Sequence, residues 1–412
     1  MDNLRILREP YIDAPEGYAV YAQNPSYTEG EGQSILESVK HEALHIDEQG
    51  RKYYYHDRIY RRRSEDNGRT WSVEPDLARE SPVTLDGEHR IVPMHVLDPS
   101  GGPLISFHCT YEMDTREAMF QSGSRRERTY RLHYEISGDG GSSWSAPRQV
   151  IDHREGYDET HWGPGLRFGE SGGMADLFAW TFLDDGTLVF GLTATCVEEG
   201  RVGVVYVQAR RREDRSDLIF TVGDLILLPT GQYPAICCEP AVAHLGGTDL
   251  FNVMRFQGDA SRGVYATRYA TMSRDGGLTW SAPEPLRYDD GTTVWTPASY
   301  SQFVESSKTG RTYWLANILS EPVHGQMPRY PLTIAEFDTE HCCILRNTVR
   351  TIQDLPDGAP LQRRYTNWGS YEERGTGDFV LTLPEQPKHM DFTAMTRPED
   401  FTADCIRYRI QI

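Results

Sequence analysis

Three stretches of this chain repeat one pattern, Ser-x-Asp-x-Gly-x-x-Trp. They read Ser64-Glu65-Asp66-Asn67-Gly68-Arg69-Thr70-Trp71, Ser137-Gly138-Asp139-Gly140-Gly141-Ser142-Ser143-Trp144 and Ser273-Arg274-Asp275-Gly276-Gly277-Leu278-Thr279-Trp280. The last two continue identically, as Ser145-Ala146-Pro147 and Ser281-Ala282-Pro283. Internal repetition constrains architecture before any single residue is considered, because each copy is one structural unit that buries its apolar face only against neighbouring copies.

The residue types predict the local structure. Asp followed by Asn-Gly or Gly-Gly signals a hairpin turn, since glycine takes a positive φ without steric cost. The Asp carboxylate can accept from backbone N–H groups inside that turn. The Trp packs its apolar face beneath the loop. Leu132-His133-Tyr134-Glu135-Ile136 and Tyr265-Ala266-Thr267-Arg268-Tyr269-Ala270 lead into two of the copies with the alternation of strands. Helical periodicity is scarce elsewhere, and short alternating segments separated by Gly, Pro, Asp and Asn dominate, so the chain reads as all-β.

These repeats resemble the Asp-box, or BNR, repeats of sialidase-like β-propellers. The copies begin 73 and then 136 residues apart, which is one and then two blades of propeller size. The resemblance implies that Asp66, Asp139 and Asp275 are structural and lie away from the active face. The whole chain, residues 1–412, then forms a single β-propeller domain of six blades, with a seventh, poorly marked blade also compatible. The units run roughly over 33–75, 89–150, 161–228, 235–288, 294–350 and 362–412. The segment from Asn3 to Tyr21 is expected to add a strand to the last blade beside Cys405–Ile412, closing the ring. Two long loops, Tyr111 to Tyr130 and Asp152 to Gly173, are the natural carriers of a site on such a scaffold.

Bulk properties bound the function. No apolar run is long enough to span a bilayer. The N-terminal residues lack the basic-then-apolar order of a secretory signal, so the expected location is cytoplasmic, or secreted or periplasmic if a leader was removed. The seven cysteines are expected to be reduced core residues, and no spacing suggests a zinc site. Neither metal nor cofactor is called for. A net charge of −19 argues against nucleic acid and anionic membranes as partners. Only four of the 42 basic residues are lysines. A local cluster of the remaining arginines could reverse the potential in one cleft and grip a carboxylate through two parallel hydrogen bonds.

The resemblance also implies a set of site residues. Sialidases carry three arginines for the substrate carboxylate, an acid/base Asp, a nucleophilic Tyr and a Glu as its base. Arg90-Ile91-Val92-Pro93 is the nearest match to the first arginine motif, and Asp114 falls where the acid/base follows. Glu239-Pro240-Ala241 leading to Asn252-Val253-Met254-Arg255 suggests Glu239 as base and Arg255 as second arginine. Arg329-Tyr330-Pro331-Leu332-Thr333 supplies the third, and Tyr365 the nucleophile, with Tyr371 as competitor. The chemistry is coherent: cations hold an anionic sugar, a protonated acid assists the leaving oxygen, and a carboxylate activates a phenol that is otherwise a poor nucleophile.

One departure leaves a second reading open. The first unit carries Lys40-His41-Glu42-Ala43-Leu44 where the first arginine belongs. Either the arginine comes from the second unit, or His41 holds that position. The latter resembles the propeller lyases and rhamnosidases that act next to uronic acids, for which His41, His108 and His161 are candidates. Trp162, Trp295 and Trp368 are candidate sugar-stacking platforms or core residues. The substrate expected in either case is an acidic glycan. A binding propeller without activity is the non-enzymatic alternative. Oligomeric state has no signature in the sequence.

Overall fold

In the computed structural model each Ser-x-Asp-x-Gly-x-x-Trp stretch closes a turn of one design. Asp66 Oδ1 accepts from the backbone N–H of Arg69 at 3.0 Å and of Thr70 at 2.8 Å. Asp275 Oδ1 accepts likewise from Leu278 at 3.1 Å and Thr279 at 2.9 Å, and Asp139 Oδ1 from Ser143 at 2.8 Å. The leading serine receives the N–H four residues on, as Gly141 N to Ser137 Oγ at 2.7 Å shows. Each Trp indole N–H then donates to the carbonyl three residues back, at 3.0–3.1 Å. The turn needs two successive left-handed residues. Gly140 and Gly141 supply φ of 66° and 89°, and Asn67 takes the first such position in the first copy at 58°.

The structure describes residues 4–46, 48–73, 87–90, 94–99, 101–113, 130–171, 173–196, 201–213, 217–228 and 237–412, with backbone alone at 53–57, 87–90, 111–113, 174–178 and 196. Six antiparallel sheets make six blades. Blade 1 runs Tyr18–Tyr27, Ile35–Ile46, Lys52–Ser64, Ser72–Val73, from inner to outer edge. Blade 2 is built on Met94–Leu97, Leu104–Met113, Arg131–Ser137 and Arg148–Gln149, and Gly87–Arg90 also pairs with its second strand. Blade 3 has Gly173–Phe182, Leu188–Cys196, Arg201–Arg211 and Leu218–Val222. Blade 4 has Cys237–Gly246, Asp249–Phe256, Thr267–Ser273 and Glu284–Pro285. Blade 5 has Gln302–Glu305, Thr312–Ala316 and Leu332–Asp338, edged by Cys343–Ile344 and Arg350–Gln353. Blade 6 has Gly369–Glu373, Asp378–Pro384 and Cys405–Gln411, and takes its outermost strand, Arg5–Ile12, from the other end of the chain.

The expected ring closure is therefore present, in the register Arg5 opposite Gln411 through Glu9 opposite Arg407. The expected first unit, by contrast, lacked its inner strand. The segment before Gln33 holds two strands with different duties: Arg5–Ile12 closes blade 6, and Tyr18–Tyr27 opens blade 1. The third unit also begins later than expected, because His161–Gly163 pairs only with Leu166–Arg167 in a separate hairpin.

Aromatic and aliphatic side chains fill the wedges between blades. Phe107 of blade 2 meets Phe190 of blade 3 at 4.7 Å between ring centroids, and Phe251 of blade 4 meets Phe337 of blade 5 at 4.9 Å. None of the six cysteines whose side chains are described forms a disulfide. Cys109, Cys237 and Cys405 are core residues as expected, whereas Cys238, Cys342 and Cys343 are half-buried.

Each inner strand starts at what we call the upper mouth of the ring and ends at the lower mouth. Third strands run the same way, so the three turns lie on the lower face. There they fasten blades. Arg407 of blade 6 donates to Gly68 O at 2.8 Å, and Arg63 of blade 1 to Gly140 O at 2.9 Å. Gln208 of blade 3 donates to Asp275 O at 3.0 Å and Gly276 O at 3.1 Å. Every turn is thus held by the blade before it.

Two outcomes follow for stability. Gln208→Ala strips two carbonyls of their donor and is expected to cost about 1–2 kcal/mol, read as a lower midpoint in chemical denaturation with unchanged slope. The turn carboxyls titrate low in the folded protein. Hydrogen bonds from Thr70 hold Asp66 at about 2, those from Ser143 hold Asp139 at about 2, and Asp275 is lowered by Thr279 against its burial. Their stabilisation is complete above the ordinary carboxyl range near pH 4 and is lost as pH falls toward about 2. The melting temperature of an Asp66→Asn, Asp139→Asn, Asp275→Asn variant should therefore fall less steeply over that window than that of the unaltered protein; parallel slopes would contradict this origin.

Candidate active site

Glu239 stands at the upper start of the inner strand of blade 4, where the strand pairing slips between Cys238 and Ala241. Pro240 offers no N–H to the ladder, and Glu239 is held at a φ of 46°. A bulge of this kind re-aims a side chain, and a non-glycine residue in the left-handed region is a strained conformation that functional sites tend to store. The Glu239 N–H leaves the ladder to donate to Thr193 Oγ1 of blade 3 at 3.2 Å.

The carboxylate meets cations. Arg255, on the next strand, forms an ion pair and hydrogen bond with Glu239 Oε1. Arg268 is opposite Arg255 on the third strand. It is fully buried, donates to Ser299 O, and leaves Nε and Nη1 without hydrogen-bond partners among the described residues. Arg329 arrives from the loop joining the second and third strands of blade 5. Asn317 ties that loop down, donating to Arg329 O at 3.1 Å and Pro331 O at 3.2 Å. The Arg329 guanidinium donates to Gln326 O at 3.1 Å, Gln326 Oε1 at 3.0 Å and Ala298 O at 3.2 Å.

The charges act on one another. Burial pushes the Glu239 carboxyl up, and Arg255, Arg329 and Arg268 together overcome that push, so it titrates below its ordinary value. Burial, aided by repulsion from Arg255, lowers Arg329 to about 10. Burial lowers Arg268 to about 10, against the attraction of Glu239. At neutral pH all three arginines and Glu239 are charged, so the cluster carries a net positive charge in a chain of net charge −19.

A second group extends the cluster toward blade 1. The Tyr21 hydroxyl lies 3.1 Å from both Glu42 Oε2 and Gln386 Oε1. The Lys40 ammonium stands 4.3 Å from the centre of the Tyr21 ring. Burial, reinforced by Glu42, drives the Tyr21 phenol well above its usual value, while Arg364 and Arg329 oppose that shift. Burial lowers Lys40, with Glu42 in opposition. Arg364 stacks its guanidinium 3.8 Å from the centre of the Phe392 ring.

Of the residues expected from sequence, Glu239, Arg255 and Arg329 converge. Tyr365 does not join them. It is fully buried in the core between blades 5 and 6 with Tyr300 and Trp368, and its hydroxyl meets Asp354 O at 3.3 Å. Burial pushes this phenol up to about 12. Its neighbour Arg364 is the residue that turns inward. His41 faces away from Lys40 and Glu42, between the rings of Tyr18 at 5.7 Å and Tyr60 at 5.6 Å. His161 stands on the separate hairpin, 5.0 Å from the Tyr157 ring, and His108 stacks on His133 at 5.5 Å inside blade 2. Trp162 and Trp368 are fully buried, which rules them out as exposed stacking platforms. Arg90 ends the strand Gly87–Arg90, described by its backbone, and Asp114 lies outside the described residues. Arg268, Arg364, Tyr21, Lys40 and Glu42 were not foreseen as site residues. The alternation of Lys40 and Glu42 along one strand face was the signal available for two of them.

The class defined by this fold is a six-bladed, sialidase-like β-propeller with a cationic upper mouth. The sequence matches the BNR repeat-like domain over residues 58–343, and the chain belongs to that family. No curated protein matches it. Among solved structures it is similar to a protein of unknown function from Dyadobacter fermentans, at 14% identity and a TM-score of 0.63 with 100% of both chains covered. It is similar to a mutant NanB sialidase from Streptococcus pneumoniae, at 14% identity and a TM-score of 0.57 over 98% of this chain and 70% of that one. An α-L-arabinofuranosidase from Fusarium graminearum is similar at 14% identity and a TM-score of 0.54, over 98% and 97%. The fold is thus one shared with glycoside hydrolases.

The ion pair makes a direct prediction. In Arg255→Ala the largest charge opposing burial of Glu239 is removed, so Glu239 should titrate higher than in the unaltered protein. Carboxyl ¹³C chemical shifts followed across pH would read this, and an unmoved midpoint would mean that the pair does not form in solution.

Proposed function

We propose that the protein is an exo-acting glycoside hydrolase that removes a terminal anionic sugar from a glycan. The observation that carries this reading is the convergence of Arg255, Arg268 and Arg329 on Glu239 at one mouth of a propeller whose overall charge is acidic. Arg255 and Arg329 hold the sugar carboxylate, and Arg268 supports the field from beneath. Hydrogen bonds from guanidinium to carboxylate in a site screened from water fix the ring for attack at its anomeric carbon. Asp114 remains the proposed acid/base for the leaving oxygen. With Tyr365 in the core, the phenol at the site is Tyr21, protonated at neutral pH and hydrogen-bonded to Glu42, which can take its proton. Glu239 keeps the arginines charged and oriented.

The same Tyr21–Glu42 pair favours a second reading, elimination next to a uronic acid. There Tyr21, its proton passed to Glu42, would take the proton from the carbon α to the carboxylate. The glycosidic C–O bond would break as the double bond forms, the leaving oxygen taking the proton back, and the arginines would stabilise the negative charge that develops on the carboxylate oxygens.

A panel of sialosides, uronic-acid oligosaccharides and rhamnosides, assayed for released sugar and for the near-ultraviolet absorbance of a new double bond, separates the readings. Arg255→Ala and Arg329→Ala should each lower kcat/KM by about 10²–10³ on the accepted substrate. Tyr21→Phe should lose turnover and Tyr365→Phe should keep it. Absence of activity on every acidic glycan would leave a binding propeller.

A further inference from the structure

The channel through the ring has a second mouth, of different chemistry. On the lower face a cavity of about 380 Å³ is lined by the ends of four inner strands. Its walls include Trp180 and Phe182 of blade 3, His244 of blade 4, Gln302 of blade 5 and Ser370 of blade 6. An adjoining pocket of about 40 Å³ shares Trp180, Gln302 and Ser370 and is bordered also by Asn24 of blade 1 and His95 of blade 2, so all six blades contribute to the two. The main cavity falls in the size range of pockets that bury a small ligand.

Two features point to an occupant. Trp180 is 39% exposed, unusual for so large an apolar ring, and it is propped edge-on against Phe182 at 5.9 Å. Gln302 is fixed through its carbonyl, which accepts from Trp368 Nε1 at 3.0 Å and Ser370 Oγ at 2.7 Å. This orientation directs the amide NH₂ away from those partners, and it has none among the described residues. His95 also borders the small pocket, but its ring packs 5.8 Å from the Trp144 ring, within the blades rather than as a group offered to a ligand.

Charge selects the ligand. The described lining holds Glu305 and Glu372 and neither arginine nor lysine. An anion of the kind suited to the upper mouth is disfavoured here. An aromatic face with a few fixed amide and hydroxyl groups suits a neutral sugar, whose C–H face is apolar and whose edge is hydroxylated.

We propose that the lower mouth is a second, non-catalytic site for a neutral sugar unit, stacked on Trp180 with its hydroxyls toward Gln302 and Ser370. Such a site would hold a neutral part of a glycan independently of the arginine cluster. It does not rest on the activity proposed above.

The test is titration of the full chain with methyl glycosides of glucose, galactose, mannose and arabinose, and with glucuronate, followed by tryptophan fluorescence and calorimetry. At least one neutral glycoside is expected to bind and to shift Trp emission. Trp180→Ala, an exposed position, should weaken that binding about ten-fold or more with unchanged circular dichroism. Trp180→Phe should restore most of it, and Arg255→Ala should leave it unchanged. Failure of every neutral glycoside to bind, equal binding by Trp180→Ala, a preference for glucuronate, or loss of binding in Arg255→Ala would each overturn the proposal. An inactive upper mouth would leave it standing.

Discussion

Ring closure is the constraint on which everything else in this molecule depends. Six twisted sheets can bring the starts of their inner strands to one mouth only if the last blade is completed. Here the completing strand is Arg5–Ile12, from the opposite end of the chain. Side chains reinforce the backbone pairing. Arg407 reaches Glu9 on the closing strand at 2.8 Å and the first turn's Gly68 O at 2.8 Å, so one guanidinium joins blade 6, its added strand and blade 1. The three repeated turns extend the same logic around the lower face. Their backbone carbonyls, which the tight geometry turns outward, are gripped by the preceding blade. Packing between sheets supplies the bulk of the stability, and these contacts fix the angle at which each sheet meets the next.

A ring held in this way can store an arrangement that would be unstable on an open surface. Arg268 is fully buried, Arg255 and Arg329 are nearly so, and their mutual repulsion is expensive in a low-dielectric site. Glu239 offsets part of the cost, at the further expense of a left-handed backbone. Arg268 and Arg329 also serve the carbonyls of Ser299, Ala298 and Gln326, but a neutral donor would do that without the repulsion. Charge retained against that cost is what a site for an anion requires. The lower mouth shows the contrast: the same channel, lined by aromatic rings and carboxylates, presents no cation among its described lining residues.

Much of this was legible in the sequence because it is local. The turns were readable from their Asp, Gly and Trp spacing, since the hydrogen bonds that make them span at most four residues. Glu239 and Arg255 were readable because the strand and return that join them are contiguous. What could not be read depended on strand parity and on pairing distant in the chain. His41 was considered where its neighbours Lys40 and Glu42 face the site, and a shift of one residue on a strand moves a side chain to the other face. Tyr365 and Arg364 differ in the same way within a loop, where no period fixes direction. Arg268 joins the cluster only through its register with Arg255. The inner strand Tyr18–Tyr27 was hidden by its own irregularity, a register slip between Gln23 and Ser26 with Asn24 at a φ of 52°.

The most direct measurement is a crystal structure of the protein soaked with a free uronic or sialic acid. The predicted result is a carboxylate at the upper mouth, within hydrogen-bond distance of Arg255 and Arg329 and beside Glu239. A carboxylate bound elsewhere on the ring, or side chains of Arg255, Arg329 and Glu239 turned away from the channel and from one another, would contradict it.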